Sequence, residues 1–301
     1  MKVLISGGCG FLGSYLCHLF ELKGYEVLAY DIDTDHAHEQ FEGYDVRVIN
    51  GDVRDSVRID DTIREFDADI VVHLAARAVA SYCDKHAFDA MDVNIGGLYK
   101  TLCALNNTKR FVFISSSFVY GNFKYVPVDE NHTLNPMGVY GGCKVAAEVL
   151  VKSYCERFGI DWVIIRPSAV YGKGDRNRRV VQILLDNAIH NKPLVIEGAD
   201  QLIDFTYITD TVQGIFLAAT KSEASKQTYN ITRGQGRSLG ELAQVIKSLV
   251  PSVDIIEKPH DKNRPVRGAL DISKARKELG YEPQVSLEDG VRKYYNWMVL
   301  Q

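Results

Sequence analysis

The chain has no apolar run approaching the roughly 20 residues a bilayer span requires, and its six cysteines (Cys9, Cys17, Cys83, Cys103, Cys143 and Cys155) include no C-x-x-C pair. The first absence excludes a helical membrane anchor. The second removes the usual thiol signatures of zinc binding and dithiol chemistry. No secretory leader opens the sequence, so the cysteines are expected to be free thiols of a protein in the reducing cytoplasm. The eight histidines are scattered; only His36 and His38 lie close together, without a third donor nearby, and no metal site is expected. Neither sign of charge is in excess. A formal net charge of −4, from 35 basic and 39 acidic residues, carries no electrostatic footprint for nucleic acid. Low-complexity stretches and internal repeats are missing too. What remains is the composition of an ordinary soluble protein, 46% hydrophobic and 25% charged, with 301 residues to build a large core or two lobes that share a cleft.

What is present is organised from the first residues. The apolar run Lys2–Ser6 is followed at once by Gly7-Gly-Cys-Gly-Phe-Leu-Gly13, and then by Phe11, Leu12, Tyr15, Leu16 and Leu19 at helical spacing. Strand, glycine turn and helix in that order predict a dinucleotide-binding turn. Gly7, Gly10 and Gly13 let the chain turn, approach a pyrophosphate and pack helix on strand. Free N–H groups at the helix start, around Phe11 and Leu12, receive the anion. The next strand, Tyr25–Tyr30, ends at Asp31, where a carboxylate can accept hydrogen bonds from the adenosine ribose and repel a 2′-phosphate. NAD rather than NADP is the expected cofactor.

Strand-like and helix-like runs alternate through the first half. Val46–Asn50, Asp69–His73 and Arg110–Ser115 read as strands, and 84–105 and 140–157 as helices, the latter with an apolar stripe at Val145, Ala146, Val149, Leu150 and Tyr154. This predicts an α/β fold, a Rossmann-type doubly wound parallel sheet, with ligands at the carboxyl ends of its strands. After Ile165 the alternation loosens into charged loops, short strands near 193–196 and 205–208, and helices near 239–249 and 287–298. The expectation is a Rossmann domain over 1–165, to which the chain returns around 204–220, and a smaller C-terminal α/β substrate lobe over 166–301.

Tyr140 and Lys144, in Val139-Tyr-Gly-Gly-Cys-Lys144, fall four apart on one face of a helix. At that spacing the ammonium is expected to lower the phenol pKa and make Tyr140 a usable base near neutral pH.

Taken in order, the glycine motif, Asp31, Gly51-Asp52, His73-Leu-Ala-Ala76, Asn94, Ser115-Ser-Ser-Phe-Val-Tyr-Gly121, Tyr140 to Lys144, Arg166-Pro-Ser-Ala-Val-Tyr-Gly172 and Asp204-Phe-Thr-Tyr207 resemble the extended short-chain dehydrogenase/reductases, and within them the NAD-dependent nucleotide-sugar epimerase/dehydratase group. The resemblance covers essentially the whole chain, including Asp271 to Gly280. It implies that Asp52 and Val53 address the adenine, that Leu74, Ala75 and Ala76 pass the cofactor phosphates and ribose, and that Asn94 supports the site from a crossing helix. It also implies that Ser116 hydrogen-bonds the reacting sugar hydroxyl, that Tyr140 takes its proton, and that Lys144 binds the nicotinamide ribose. A homodimer built from the 84–105 and 140–157 helices follows from the same resemblance.

Departures from the family pattern narrow the reaction. Dehydratases of the group have Asp-Glu directly after the catalytic Thr, whereas Ser117 and Phe118 stand here. A phenylalanine cannot act as acid or base, which disfavours elimination. The remaining expectation is oxidation at C4 of a nucleotide sugar by a 4-epimerase. The alternatives are a net dehydrogenase or reductase, a dehydratase, or a non-catalytic NAD-binding regulatory subunit. Ala169 replaces a frequent Asn and Ile203 a frequent Arg of the substrate clamp, and Cys83 stands where related chains often show Ser. Other cations must then meet the substrate diphosphate, with Arg176, Arg178, Arg179, Arg264 and Arg267 as candidates and Ser117 beside the sugar.

Overall fold

Along the first strand, β1 (Lys2–Ser6), Val3 and Ile5 point into one hydrophobic core and Leu4 into another, and all three are fully buried. A strand apolar on both sides belongs inside a sheet covered on both faces. The computed structural model describes residues 1–175 and 177–300 and places β1 at the centre of such a sheet. The strands that follow are β2 (Glu26–Asp31), β3 (Val46–Asn50), β4 (Ile70–His73), β5 (Arg110–Ile114), β6 (Asp161–Pro167), β7 (Val170–Tyr171), β8 (Leu194–Glu197), β9 (Leu202–Asp204), β10 (Thr206–Tyr207), β11 (Gln227–Ile231), β12 (Gly236–Ser238) and β13 (Ile255–Lys258). The main sheet has the order β11-β6-β5-β4-β1-β2-β3, parallel throughout. Strand order reverses between β1 and β4, which opens a crevice at their carboxyl ends.

The helices are α1 (Phe11–Leu22), α2 (Ala37–Gln40), α3 (Ser56–Phe66), α4 (Ala80–Lys85), α5 (Ala87–Met91), α6 (Leu98–Cys103), α7 (Gly138–Phe158), α8 (Val180–Ile189), α9 (Ile208–Thr220), α10 (Leu239–Leu249), α11 (Ser273–Leu279) and α12 (Leu287–Val299). Leu16, Cys17 and Phe20 of α1 share one core with Val212 and Ile215 of α9. Ile59, Ile63 and Phe66 of α3, Leu98 and Leu102 of α6, and Ala147 and Val151 of α7 fill the other. The sheet is thus doubly wound. Beyond it, β8 pairs with β13, β9 with β12 and β10 with β7 in small two-stranded sheets. Among the described residues no helix is long and apolar enough to cross a membrane.

Three local expectations are corrected. The helix expected over 84–105 is broken: it stops at His86, restarts at α5, and widens into a π-helical turn over Asp92–Gly97 before α6. A Cβ on Gly97 would lie 2.6 Å from Val53 Cγ2, so the turn packs closely on the segment after β3, and the Asn94 side chain in it is committed to the backbone of Arg77. π-turns of this kind gather at functional sites. The strand expected over 205–208 is only Thr206–Tyr207, since Ile208 already begins α9 and is fully buried. Finally, β11 was not foreseen as an edge strand of the main sheet; its outer residues Gln227 and Thr228 are only partly buried, so its apolar alternation is weak.

Candidate active site

The cleft at the switch point is built by backbone constraints. Gly7 adopts φ +76°, and a Cβ there would meet the Ala75 nitrogen at 2.8 Å. At Gly13 a Cβ would come within 2.0 Å of the Gly7 carbonyl oxygen. The missing side chains leave a cradle at the start of α1, where unpaired N–H groups and the helix dipole favour an anion. Gly7, Gly10, Phe11, Leu12, Gly13, Asp31, Asp52, Val53, Leu74, Ala75 and Ala76 all line this one cleft. Asp31, the last residue of β2, accepts the Cys9 N–H at 3.0 Å and the Asp33 N–H at 3.1 Å, so it braces the glycine turn as well as facing the cleft. Burial raises its pKa while those backbone donors oppose the shift.

Sequence reasoning missed the charged rim of this cleft. Arg54 lines it and pairs with Asp52 at 2.7 Å, Asp92 at 3.2 Å and Asp89 at 3.6 Å, while Arg77 pairs with Asp89 at 2.8 Å. Asn94 is buried and does not line the cleft. Its carboxamide accepts the Arg77 N–H at 2.7 Å and donates to the Arg77 carbonyl at 3.2 Å, fixing the loop after β4.

The residues expected to react, Ser116, Tyr140 and Lys144, lie close together. Ser116 ends the segment after β5 and caps the short 3-10 turn Ser117–Tyr120, its hydroxyl accepting the Phe118 N–H at 3.2 Å. Tyr140 and Lys144 lie one turn apart on α7, both buried. The expected lowering of the phenol pKa by Lys144 is corrected. Burial raises the Tyr140 pKa, Arg179 and the neighbouring Ser116 hydroxyl work against that rise, and Cys83 adds to it. Lys144 is itself desolvated, which brings its pKa down to about 8, and its ammonium donates to the Ile114 carbonyl at 2.7 Å and sits 4.8 Å from the Phe113 ring centre. Phe118 packs edge-on against Tyr140 with ring centres 5.7 Å apart.

The cations named as substrate candidates part company. The Arg267 guanidinium lies 5.0 Å over the ring of Phe118, the residue that packs against Tyr140. Arg179 lines the dinucleotide cleft, 5.9 Å from the Phe11 ring centre, and pairs with buried Asp175 at 3.6 Å. Arg178 is exposed and Arg264 sits on the surface with Glu197 and Asp261. Arg176 lies outside the described residues. Ser117 is buried with no hydrogen-bond partner for its hydroxyl, and Ala169 is held at φ +38°, a left-handed conformation unusual for alanine.

Residues 3–232 match the model of the family described as NAD dependent epimerase/dehydratase. The chain belongs to that family. It is 31% identical to a candidate UDP-glucose 4-epimerase of Methanocaldococcus jannaschii, covering 98% of each chain, and 28% identical to the dTDP-glucose 4,6-dehydratase of Haemophilus influenzae, covering 99% of this chain and 97% of that one. The fold superposes with a TM-score of 0.91, at 28% identity and over 100% and 99% of the two chains, on the crystal structure of a UDP-glucuronic acid 4-epimerase from Bacillus cereus in complex with UDP-glucuronic acid and NAD. As a member of the NAD-dependent epimerase/dehydratase family the protein is an extended short-chain dehydrogenase/reductase enzyme, and its cofactor is NAD. The cradle fits that cofactor on physical grounds: two glycines whose Cβ atoms would fill it, a helix start for a pyrophosphate, and a carboxylate at the end of β2.

Proposed function

We propose that this enzyme oxidises and re-reduces C4 of a nucleotide sugar, acting as a 4-epimerase. The observation that carries the choice is at Ser117 and Phe118. The pair following Ser116 offers a hydroxyl and an aromatic ring, and Phe118 is packed on Tyr140 itself, so the positions that would supply an acid for elimination hold none. Relatives of this chain include both epimerases and dehydratases, and this pair favours the first reading.

Bound NAD supplies a reversible acceptor for the hydride of the sugar carbon. In this reading Tyr140 takes the hydroxyl proton as the carbon–oxygen bond becomes a carbonyl, and returns it when the alcohol reforms. Ser116 holds the same oxygen by a hydrogen bond. Lys144 presents its charge to the phenol and to the cofactor ribose. Arg267, beside Phe118, is the cation best placed to meet the substrate diphosphate, while Arg179 faces the phenol from the cofactor side. Asp31 selects NAD over NADP. These residues contribute positioning and proton transfer, which together account for large rate factors.

The test is turnover of a panel of UDP-, GDP-, CDP- and dTDP-hexoses, followed by NADH absorbance and by NMR at C4. Inversion without net NADH supports the epimerase; stoichiometric NADH assigns a dehydrogenase, and a 4-keto-6-deoxy product a dehydratase. Tyr140→Phe is expected to reduce turnover by about 10² to 10⁴ while NAD binding is unchanged. If no sugar nucleotide reacts and Tyr140→Phe equals the parent throughout, the protein is a binding subunit.

We also propose a homodimer. Phe88 (87% exposed), Met91 and Tyr99 from the 87–103 segment and Val149 and Phe158 from α7 present apolar side chains to solvent, a pattern expected of a covered face. Sedimentation at micromolar concentration should give a dimer, and a monomer there would refute it.

A further inference from the structure

One buried polar cluster beneath the site is not used by the chemistry above. Tyr140, Lys144 and Glu148 follow at four-residue intervals along α7 and share a face. The Glu148 carboxylate, fully enclosed, accepts the Ser115 hydroxyl at 2.6 Å and the Arg166 guanidinium at 2.9 Å and 2.6 Å. Lys144 meanwhile donates to the carbonyl of Ile114, the residue before Ser115. The end of β5, which delivers Ser116, is thus held from α7 at two successive residues. The cluster continues outward: Arg166 donates to the Tyr120 hydroxyl at 3.0 Å, Tyr120 donates to Asn230 at 2.7 Å, and Asn230 donates to the carbonyls of Val128 and Asp271. Asp271 lies four residues beyond Arg267.

A buried ion pair of this kind gains little net stability over apolar packing of the same volume. Its geometry suggests work instead. Starting from the reading of Ser116, Tyr140 and Lys144 as the reacting residues, we propose that Glu148 is a positioning residue of this site: it sets Ser116 through Ser115, faces Lys144 as a counter-charge, and ties both to the Arg267 segment through Arg166, Tyr120 and Asn230. The groups facing Lys144 are Cys143 and Glu148 from its own helix together with the Tyr140 phenol, Cys83 from α4 and His73 from β4. Burial is what lowers the lysine's pKa, and Glu148 is among the groups that oppose the fall.

The experiment follows Lys144 directly. In the NAD-loaded protein carrying 13C-labelled lysine, its resonance is assigned by its loss in Lys144→Met, and its titration is compared between the parent, Glu148→Gln and Glu148→Asp. We expect the Gln variant to titrate at least half a pH unit lower and the Asp variant, which keeps the charge, to stay near the parent. Should Glu148→Gln alone fail to fold because it strands the Arg166 charge, Ser115→Ala, which removes only the hydroxyl that Glu148 accepts, tests the link to Ser116 and should lower kcat for the nucleotide sugar at least threefold. Tyr120→Phe, which deletes only the hydroxyl of the outward relay, should raise KM for the nucleotide sugar at least threefold without moving the lysine titration. Unchanged Lys144 titration in Glu148→Gln overturns the proposal, as does an unchanged kcat in Ser115→Ala where Glu148→Gln does not fold, and so does an unchanged KM in Tyr120→Phe. The lysine titration needs no turnover, so a wrong assignment of the reaction would show in the activity panel and leave this result standing on its own.

Discussion

Asp31 has two attachments, and separating them predicts how cofactor choice should respond to mutation. One oxygen accepts the Cys9 N–H within the glycine turn at 3.0 Å, and the other accepts the Asp33 N–H at 3.1 Å; the same carboxylate lines the cleft where the adenosine ribose is expected. Asp31→Ala removes the charge and also leaves the Cys9 N–H without its acceptor. A hydrogen bond to a charged group is worth about 1.5–3 kcal/mol, so NAD affinity should fall roughly 10- to 150-fold. NADP, relieved of the repulsion, should lose much less or gain, narrowing the preference by about 1–2 kcal/mol. Asp31→Asn keeps an acceptor for Cys9 while deleting the charge, and should narrow the preference with a smaller loss of NAD affinity. Calorimetric titration of both cofactors into the three proteins checks this. Tighter binding of NADP than NAD by the parent would refute the reasoning, and so would an NAD/NADP ratio in Asp31→Ala within twofold of the parent.

Two further outcomes follow from the same geometry. Gly13→Ala places a Cβ 2.0 Å from the Gly7 carbonyl oxygen, so the turn must open; NAD binding measured by calorimetry should be lost while circular dichroism at 20 °C still reports the α/β fold, and normal NAD affinity would show that the cradle is not the pyrophosphate site. His73 is 1% exposed, bonded through Nδ1 to the Ser6 hydroxyl at 2.8 Å, and burial brings its pKa down from 6.5 to about 3. Below pH 6.5 the unfolded chain therefore binds a proton that the folded chain does not, and stability present at neutral pH is lost on acidification, by roughly 2 kcal/mol at pH 5. Urea unfolding of the parent and His73→Gln at pH 7.5 and pH 5 isolates this contribution; an equal pH response in both proteins would contradict it.

Much of the cofactor cleft could be read from the sequence because its requirements are local. Gly10 and Gly13 sit against the Gly7 carbonyl within seven consecutive residues, Gly7 holds φ +76° although its close neighbours Leu74 and Ala75 come from the loop after β4, and Asp31 is reached by the strand that follows α1. The parallel sheet was legible for a related reason: β1, β2 and β4 are apolar on both faces, and buried parallel strands read as continuous apolar runs. The 92–97 turn was not legible. Gly97 in it packs against Val53, which lies some forty residues earlier in the chain, and no periodicity within the segment records that neighbour.

Charge gives the sharper division. Arg178, Arg179, Arg264 and Arg267 are alike in the sequence as basic residues of polar loops, yet one pair faces the site and the other solvent, because only the path of the C-terminal lobe decides which guanidinium meets Phe11 or Phe118. Lys144 shows the same limit. The four-residue spacing places it on the face of Tyr140, but the spacing is blind to the enclosure that costs both groups their hydration. In this site burial, rather than the lysine, dominates the phenol. Around the phenol, Arg179 works against the rise and the Lys144 ammonium sits 5.9 Å from the ring centre. The pair expected to be catalytic thus belongs to three successive turns of α7, with Tyr140, Lys144 and Glu148 on one face and Glu148 anchored to Ser115 and Arg166.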